Sequence, residues 1–208
     1  MIAIIDYGLG NLGSVANMLK KIGARAVVTS TPEEIRGAAG LILPGVGHFD
    51  EGMRRLRERS LREILTERVV EAKTPVLGIC LGIQLLARGS EEGNEPGLGW
   101  IGADVKRFSF PAAERLSVPH MGWNEVDIVD EGLFRGVPST PARFYFVHSY
   151  HVVCDDPGSV AAWSTYGSRF TAAIHAGHIY GAQFHPEKSH KFGMAVLKNF
   201  AAVAGHAA

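Results

Sequence analysis

The chain has 208 residues, 46% of them hydrophobic and 20% charged, which is ordinary for a soluble globular protein with room for a sizeable core. Basic and acidic residues number 21 each, so the zero net charge speaks against a nucleic-acid or anionic-membrane partner. Two cysteines, Cys80 and Cys154, are too few for a disulfide framework and fit a reducing, cytoplasmic compartment; no stretch approaches the ~18 uninterrupted apolar residues of a membrane span.

Residues 2–6 are a continuous apolar run that reaches Asp6 at once, which predicts a strand buried on both faces rather than a signal peptide. Residues 11–23 carry Leu12, Val15, Leu19 and Ile22 on one helical stripe, with Gly23 as the stop. A strand at 26–29, a short helix opened by Thr31-Pro32-Glu33-Glu34 and a strand at 41–43 ended by Pro44-Gly45 follow. Leu61, Ile64, Leu65, Val69 and Ala72 predict one amphipathic helix, 75–79 a fourth strand, and 81–87 the next helix. This alternation implies a parallel sheet with helices on both faces. Beyond 88–99, read as a loop, come shorter strands at 118–119, 123–129, 143–153, 159–165 and 170–184, which suggest an added antiparallel section. Residues 189–204 close the chain as a helix; there is no repeat or linker, so 1–208 reads as one domain.

The most informative stretch is Gly78-Ile79-Cys80-Leu81-Gly82. It is the cysteine form of the nucleophile elbow, a sharp strand-to-helix turn that lifts one reactive side chain clear of the sheet. The glycines spare the tight turn a Cβ on either side. The helix N-terminus beyond it favours thiolate over thiol. A nucleophilic cysteine needs a base and something to orient that base. Gln183-Phe184-His185-Pro186-Glu187-Lys188 offers both: His185 and Glu187 stand at i and i+2 on an extended segment, so they leave the chain on the same side. The N–H of Leu81, next after the nucleophile, and a glycine amide of Pro44-Gly45-Val46-Gly47 are candidate donors for an oxyanion.

These two motifs, in the order Cys, His, Glu, with roughly a hundred residues between the first two, resemble the class I (triad) glutamine amidotransferases. Residues 5–12, 43–47, 118–124 (with Pro119-His120-Met121-Gly122-Trp123-Asn124) and 144–150 further resemble the glutaminase subunits of imidazole glycerol phosphate synthases. The likeness runs from residue 2 to about residue 200. It implies a three-layer α/β fold of flavodoxin-like type, with a mostly parallel sheet and an added antiparallel section. It implies glutamine as substrate, with Cys80, His185 and Glu187 catalytic and Gly47 and Leu81 as the oxyanion donors. Gln84, Ser149 and Tyr150 would hold glutamine, the last two mainly through backbone atoms. The implied partner is a (β/α)8-barrel cyclase that receives ammonia, with Asn11, Met121, Trp123, Asn124, Tyr145 and Lys188 at the docking face or ammonia gate. No cofactor and no metal are implied. The alternatives are a glutaminase of another pathway, a stand-alone cysteine hydrolase and a non-catalytic binding subunit.

Three features are read as decoys. Gly8-Leu9-Gly10-Asn11-Leu12-Gly13 is a formal dinucleotide fingerprint, but that reading leaves the Cys–His–Glu set unexplained. His148 with His151, and His175 with His178, lie at i and i+3 of expected strands, where they would face opposite ways and hold no metal together. Arg54 to Arg59 reads as a solvated helix face and Cys154 as a packed small residue.

Overall fold

In the computed structural model, which describes residues 1–111, 115–137 and 141–205, the N-terminal apolar run is β1 (Ile2–Ile5), buried throughout. Its side chains alternate with the pleat: Ile2 and Ile4 join one apolar cluster, Ala3 and Ile5 the other. The first cluster lies under α1 (Leu12–Lys21) and α6 (His190–Val203), through Val15, Leu19, Val196 and Phe200. The second lies under α2 (Pro32–Arg36), α3 (Phe49–Glu58), α4 (Leu61–Thr66) and α5 (Leu81–Leu85). Two clusters on opposite faces of one sheet make three layers, as the alternating periods predict.

Four strands join β1 in parallel: β2 (Ala26–Thr29), β3 (Gly40–Gly45), β4 (Val76–Cys80) and β11 (Ile179–Ala182), in the spatial order β2-β1-β3-β4-β11. The sheet continues antiparallel through β10 (Ser168–Ala176), β9 (Val160–Tyr166), β6 (His120–Ile128) and β7 (Ala142–His148). A separate antiparallel ribbon pairs β5 (Ala103–Arg107) with β8 (Tyr150–Cys154).

Several expected boundaries move. The strand read at 143–153 is two, β7 and β8, because the chain changes sheet at Ser149. The segment 170–184 is a hairpin that turns at Gly177 and His178. Strand β6 begins at His120 rather than at 123, residues 118–119 lie before it outside any strand, and β5 has no counterpart in the sequence reading. Helix α5 stops at Leu85, and the helix expected through Ala72 loosens into a π turn at Glu67–Glu71. The break at Ser149 also overturns the opposite-face argument for His148 and His151, since both rings pack on Phe108, at 5.1 and 4.7 Å. Residues 91–95, inside the expected loop, are clasped to the start of α3. Phe49 N–H donates to Glu92, while the N–H groups of Asn94 and Glu95 donate to Asp50. Arg54, Arg55, Arg57 and Arg59 are solvent-facing, each paired with a carboxylate.

The β4–α5 turn depends on two missing side chains. A Cβ on Gly82 would stand 1.8 Å from the Leu43 carbonyl oxygen of β3, and one on Gly78 2.7 Å from the Gly82 carbonyl carbon. Neither obstacle is a flexible side chain. Gly82→Ala is therefore expected to lower the melting temperature by about 5 °C or more, the shift that ~2 kcal/mol of overpacking gives a chain of this size. Gly13→Ala in α1 meets nothing within 4 Å and should be neutral or slightly stabilising. Equal melting temperatures for the two variants, by calorimetry, would refute this account of the turn.

Candidate active site

Strands β3, β4 and β11 present their carboxyl ends at one edge, where open α/β sheets bind ligands. Gly45, the end of β3, pairs in register with Cys80, the end of β4; Ala182 of β11 pairs with Ile79 and leads into Gln183, Phe184 and His185. The register thus delivers the Pro44–Gly47 turn, the thiol and the imidazole to one place. They line a pocket of about 270 Å³ together with Val46, Leu81, Gln84, Glu92, Ser149 and Tyr150.

Cys80 has φ 54° and ψ −108°, a backbone state that costs a non-glycine residue about 1–3 kcal/mol and that surrounding structure must enforce. Leu81 is the first residue of α5, so its N–H has no acceptor within the helix. Gly47 has φ 108° at the pocket mouth.

His185 Nδ1 lies 2.8 Å from Glu187 Oε1, and both side chains are sealed from solvent. A carboxylate can only accept, so Nδ1 carries a proton and donates it. His185 Nε2 is buried without a hydrogen-bond partner and is the nitrogen left to meet the thiol. Burial alone pushes the imidazolium down. The Cys80 sulfur and then the Glu187 carboxylate outweigh it and lift the His185 pKa to about 9.

Gln84 has little freedom. Its Nε2 donates to the Tyr150 carbonyl at 3.0 Å and to Gln183 Oε1 at 3.1 Å. A carbonyl can only accept, which fixes the amide's orientation and leaves Gln84 Oε1, an acceptor, to offer a ligand. Glu92 adds a carboxylate at the pocket wall. The carbonyls of Ser149 and Tyr150 are already used, by Phe108 N–H at 3.0 Å and by Gln84. The pocket therefore sets acceptors on one wall and a nucleophile with its base on another, an arrangement that suits a ligand carrying an ammonium group and a reactive carbonyl.

Residues 3–204 match the family model for glutamine amidotransferase class-I. The chain is 51% identical to imidazole glycerol phosphate synthase subunit HisH 2 of Methanococcus maripaludis, over 96% of this chain and 98% of that one. It is 50% identical to subunit HisH of Bdellovibrio bacteriovorus, over 98% and 100%. The chain is a class-I glutamine amidotransferase of the HisH family. A crystal structure of a glutamine amidotransferase superposes with a TM-score of 0.73 at 22% identity, covering 98% of both chains. A structure of PurLQS from Thermotoga maritima does so with 0.73 at 16%, covering 96% of both; these two bear on fold alone.

In this amidotransferase the other sequence candidates fall into two groups. Met121 and Trp123 alternate along β6 and are 63% and 42% exposed. Trp123 lies flat on His190 at 5.5 Å and edge-on to Tyr145 at 6.4 Å, and Lys188 Nζ is 5.7 Å above the Tyr145 ring. These four share an outer face beside the catalytic segment. Asn124 points the other way, with its amide bonded to Thr165 and His120. Asn11 precedes α1 without capping it through its side chain. Sequence reading passed over Glu92 and assigned no role to Gln183, whose Nε2 lies 3.9 Å from Cys80 Sγ. Gln183 was findable, since it stands two residues before His185 on an extended segment. Glu92 sits in a polar loop with no periodicity to mark it.

Among the described residues no group of three or more His, Cys, Asp or Glu side chains could hold a metal, and no helix is long and apolar enough to cross a membrane. Burial pushes the Cys154 thiol up to about 11, away from reactivity.

The lifted His185 pKa has a kinetic signature. With His185 protonated as the acid of the first step, kcat/KM for glutamine hydrolysis should hold to about pH 9 and fall above it. Glu187→Gln keeps the shape but removes a charge that raises the pKa, so the alkaline limb should move to lower pH. A pH–rate profile whose limb does not move in the variant would contradict this role for Glu187.

Proposed function

We propose that residues 1–208 act as one cytoplasmic glutaminase domain, the ammonia-producing subunit of an imidazole glycerol phosphate synthase in histidine biosynthesis. The observation that carries the reading is the buried Cys80–His185–Glu187 set beside a pocket whose free polar groups suit the ends of glutamine. Gln84 Oε1 and the Glu92 carboxylate receive the α-ammonium, and the Ser149–Tyr150 segment flanks the α-carboxylate.

The Cys80 thiolate attacks the side-chain amide carbon, forming the C–S bond. The oxyanion is held by the N–H groups of Leu81 and Gly47. The C–N bond breaks as His185 gives its Nε2 proton to the departing ammonia, leaving a γ-glutamyl thioester. Acylation removes the sulfur's negative charge, the larger of the two influences that raise the His185 pKa, so His185 now favours its neutral form. Neutral His185 takes a proton from water, which attacks the thioester; glutamate leaves and the thiolate returns. The same residue serves as acid and then as base because its neighbour's charge changes between the steps.

Ammonia freed into water is protonated and lost as a nucleophile. The proposed partner, a (β/α)8-barrel cyclase, docks on the face bearing Met121, Trp123, Tyr145 and Lys188, with Asn11 at its margin and Asn124 beneath it, and takes ammonia directly. It makes imidazole glycerol phosphate and aminoimidazole carboxamide ribonucleotide.

Glutamate release from glutamine should be weak in the chain alone and rise strongly with the cyclase and its nucleotide substrate. Cys80→Ala should abolish release while synthesis continues on ammonium salts. Strong release that ignores the partner would favour a stand-alone hydrolase, and none under any condition a binding subunit.

A further inference from the structure

Beneath the exposed Met121 and Trp123, the inward-facing residues of β6 form a hydrogen-bonded chain that leads into the pocket. His148 Nδ1 is 2.8 Å from the Tyr150 carbonyl oxygen. His120 Nδ1 is 3.1 Å from His148 Nε2, and Asn124 Nδ2 is 3.2 Å from His120 Nε2. The same Nδ2 is 2.9 Å from the Thr165 carbonyl oxygen, and Asn124 Oδ1 accepts from Glu125 N–H at 2.8 Å.

The direction of every bond is determined. A carbonyl oxygen only accepts, so His148 carries its proton on Nδ1. Burial pushes His148 down to about 3 and His120 to about 4, so both rings are neutral near pH 7. His148 Nε2 is then an acceptor, and His120 must donate to it from Nδ1. His120 Nε2 is left as an acceptor for Asn124, whose orientation Thr165 fixes independently. The chain runs Asn124 to His120 to His148 and ends on the Tyr150 carbonyl, the atom that also receives Gln84 Nε2.

We infer that His120 and His148 are positioning residues, which hold the Tyr150 carbonyl and through it the Gln84 amide in the orientation that receives glutamine. Neither ring needs to touch the reacting atoms. Buried histidines of no catalytic use are costly, since an apolar ring would fill the same space with nothing to satisfy. His120 lies flat on Phe146 and Tyr166, at 5.1 and 4.2 Å, so packing alone would be served by phenylalanine. What phenylalanine could not supply is a donor to His148 Nε2. The alternation of β6 gives the arrangement a second property: Met121 and Trp123 are the outward neighbours of His120 and Asn124, so the strand that bears the proposed docking face also bears the chain.

The role of the chain rests on the glutaminase reading; its existence does not, and two measurements separate them. Long-range nitrogen–proton NMR spectra of the full chain at pH 7 should show both His120 and His148 as Nδ1–H tautomers, the minor form of free histidine. Either ring found protonated at Nε2 alone, or charged, would overturn the chain whatever the protein's substrate. For its role, His120→Phe removes the donor and keeps the ring, while His120→Asn restores a donor near the Nδ1 position. Assayed in the complex with the cyclase, His120→Phe should raise KM for glutamine about tenfold with kcat within about threefold, and His120→Asn should recover most of the loss. Alkylation of Cys80 by iodoacetamide, which does not use the glutamine-holding wall, should keep its wild-type rate in both. An unchanged KM in His120→Phe, or a loss that His120→Asn does not relieve, would overturn the positioning role. A wild-type complex that releases no glutamate would instead sink the glutaminase reading and leave the tautomer result standing.

Discussion

The backbone at Cys80 is the constraint on which the rest of the site depends. A left-handed turn lets β4 pass into α5 without an intervening loop, so the thiol leaves the sheet while the next N–H is left unpaired. The turn exists because Gly82 lies against the Leu43 carbonyl and Gly78 against the turn itself. Both contacts are backbone on backbone, with no slack to absorb a methyl group. Strand pairing then does the remaining work: β3 and β11 flank β4 in parallel register, and their carboxyl ends bring Gly47 and His185 to the sulfur. A strained residue costing about 1–3 kcal/mol is held by three adjacent strands buried on both faces.

Three buried histidines near this edge show how neighbours decide charge. His185, His148 and His120 all lose hydration, and burial pulls each pKa down. Only His185 faces groups that become anionic, and it alone ends above its ordinary value, at about 9. His148 faces neighbouring rings and a carbonyl, and its hydrogen bond to the Tyr150 carbonyl offsets only part of its burial. One side-chain type therefore supplies a proton carrier at one position and fixed hydrogen-bond donors at two others.

Much of this was legible in the sequence because it is written in short periods. The alternation of Ile2 to Ile5 between two clusters, the stripe of Val15 and Leu19, and the glycines around Cys80 are local patterns with local causes. His185 and Glu187 were readable as a pair two residues apart, and they do meet, but not as two positions of one extended segment: the extended backbone ends at His185, and a 3-10 turn over Pro186–Lys188 carries the Glu187 carboxylate back to the ring. What escaped depends on contacts between distant segments. β5 is too short and too polar at Lys106 and Arg107 to stand out, and it is a strand because β8 pairs with it. The break at Ser149 is invisible in a continuous run of strand-forming residues, yet it turns His148 and His151 onto the same ring. Glu92 becomes a pocket wall only because the start of α3 and the 91–95 loop clasp each other. His120 and His148, 28 residues apart, became a pair only when β6 and β7 were seen in register.

The central claim is that Cys80 carries the glutamyl group between two steps. Acid-quenching the complex during steady turnover of glutamine, followed by peptide mass spectrometry, tests it directly. The account predicts a glutamyl adduct on the peptide containing Cys80, removable by hydroxylamine and absent in Cys80→Ala. Sustained glutamate release by Cys80→Ala, or an adduct confined to another residue, would contradict it.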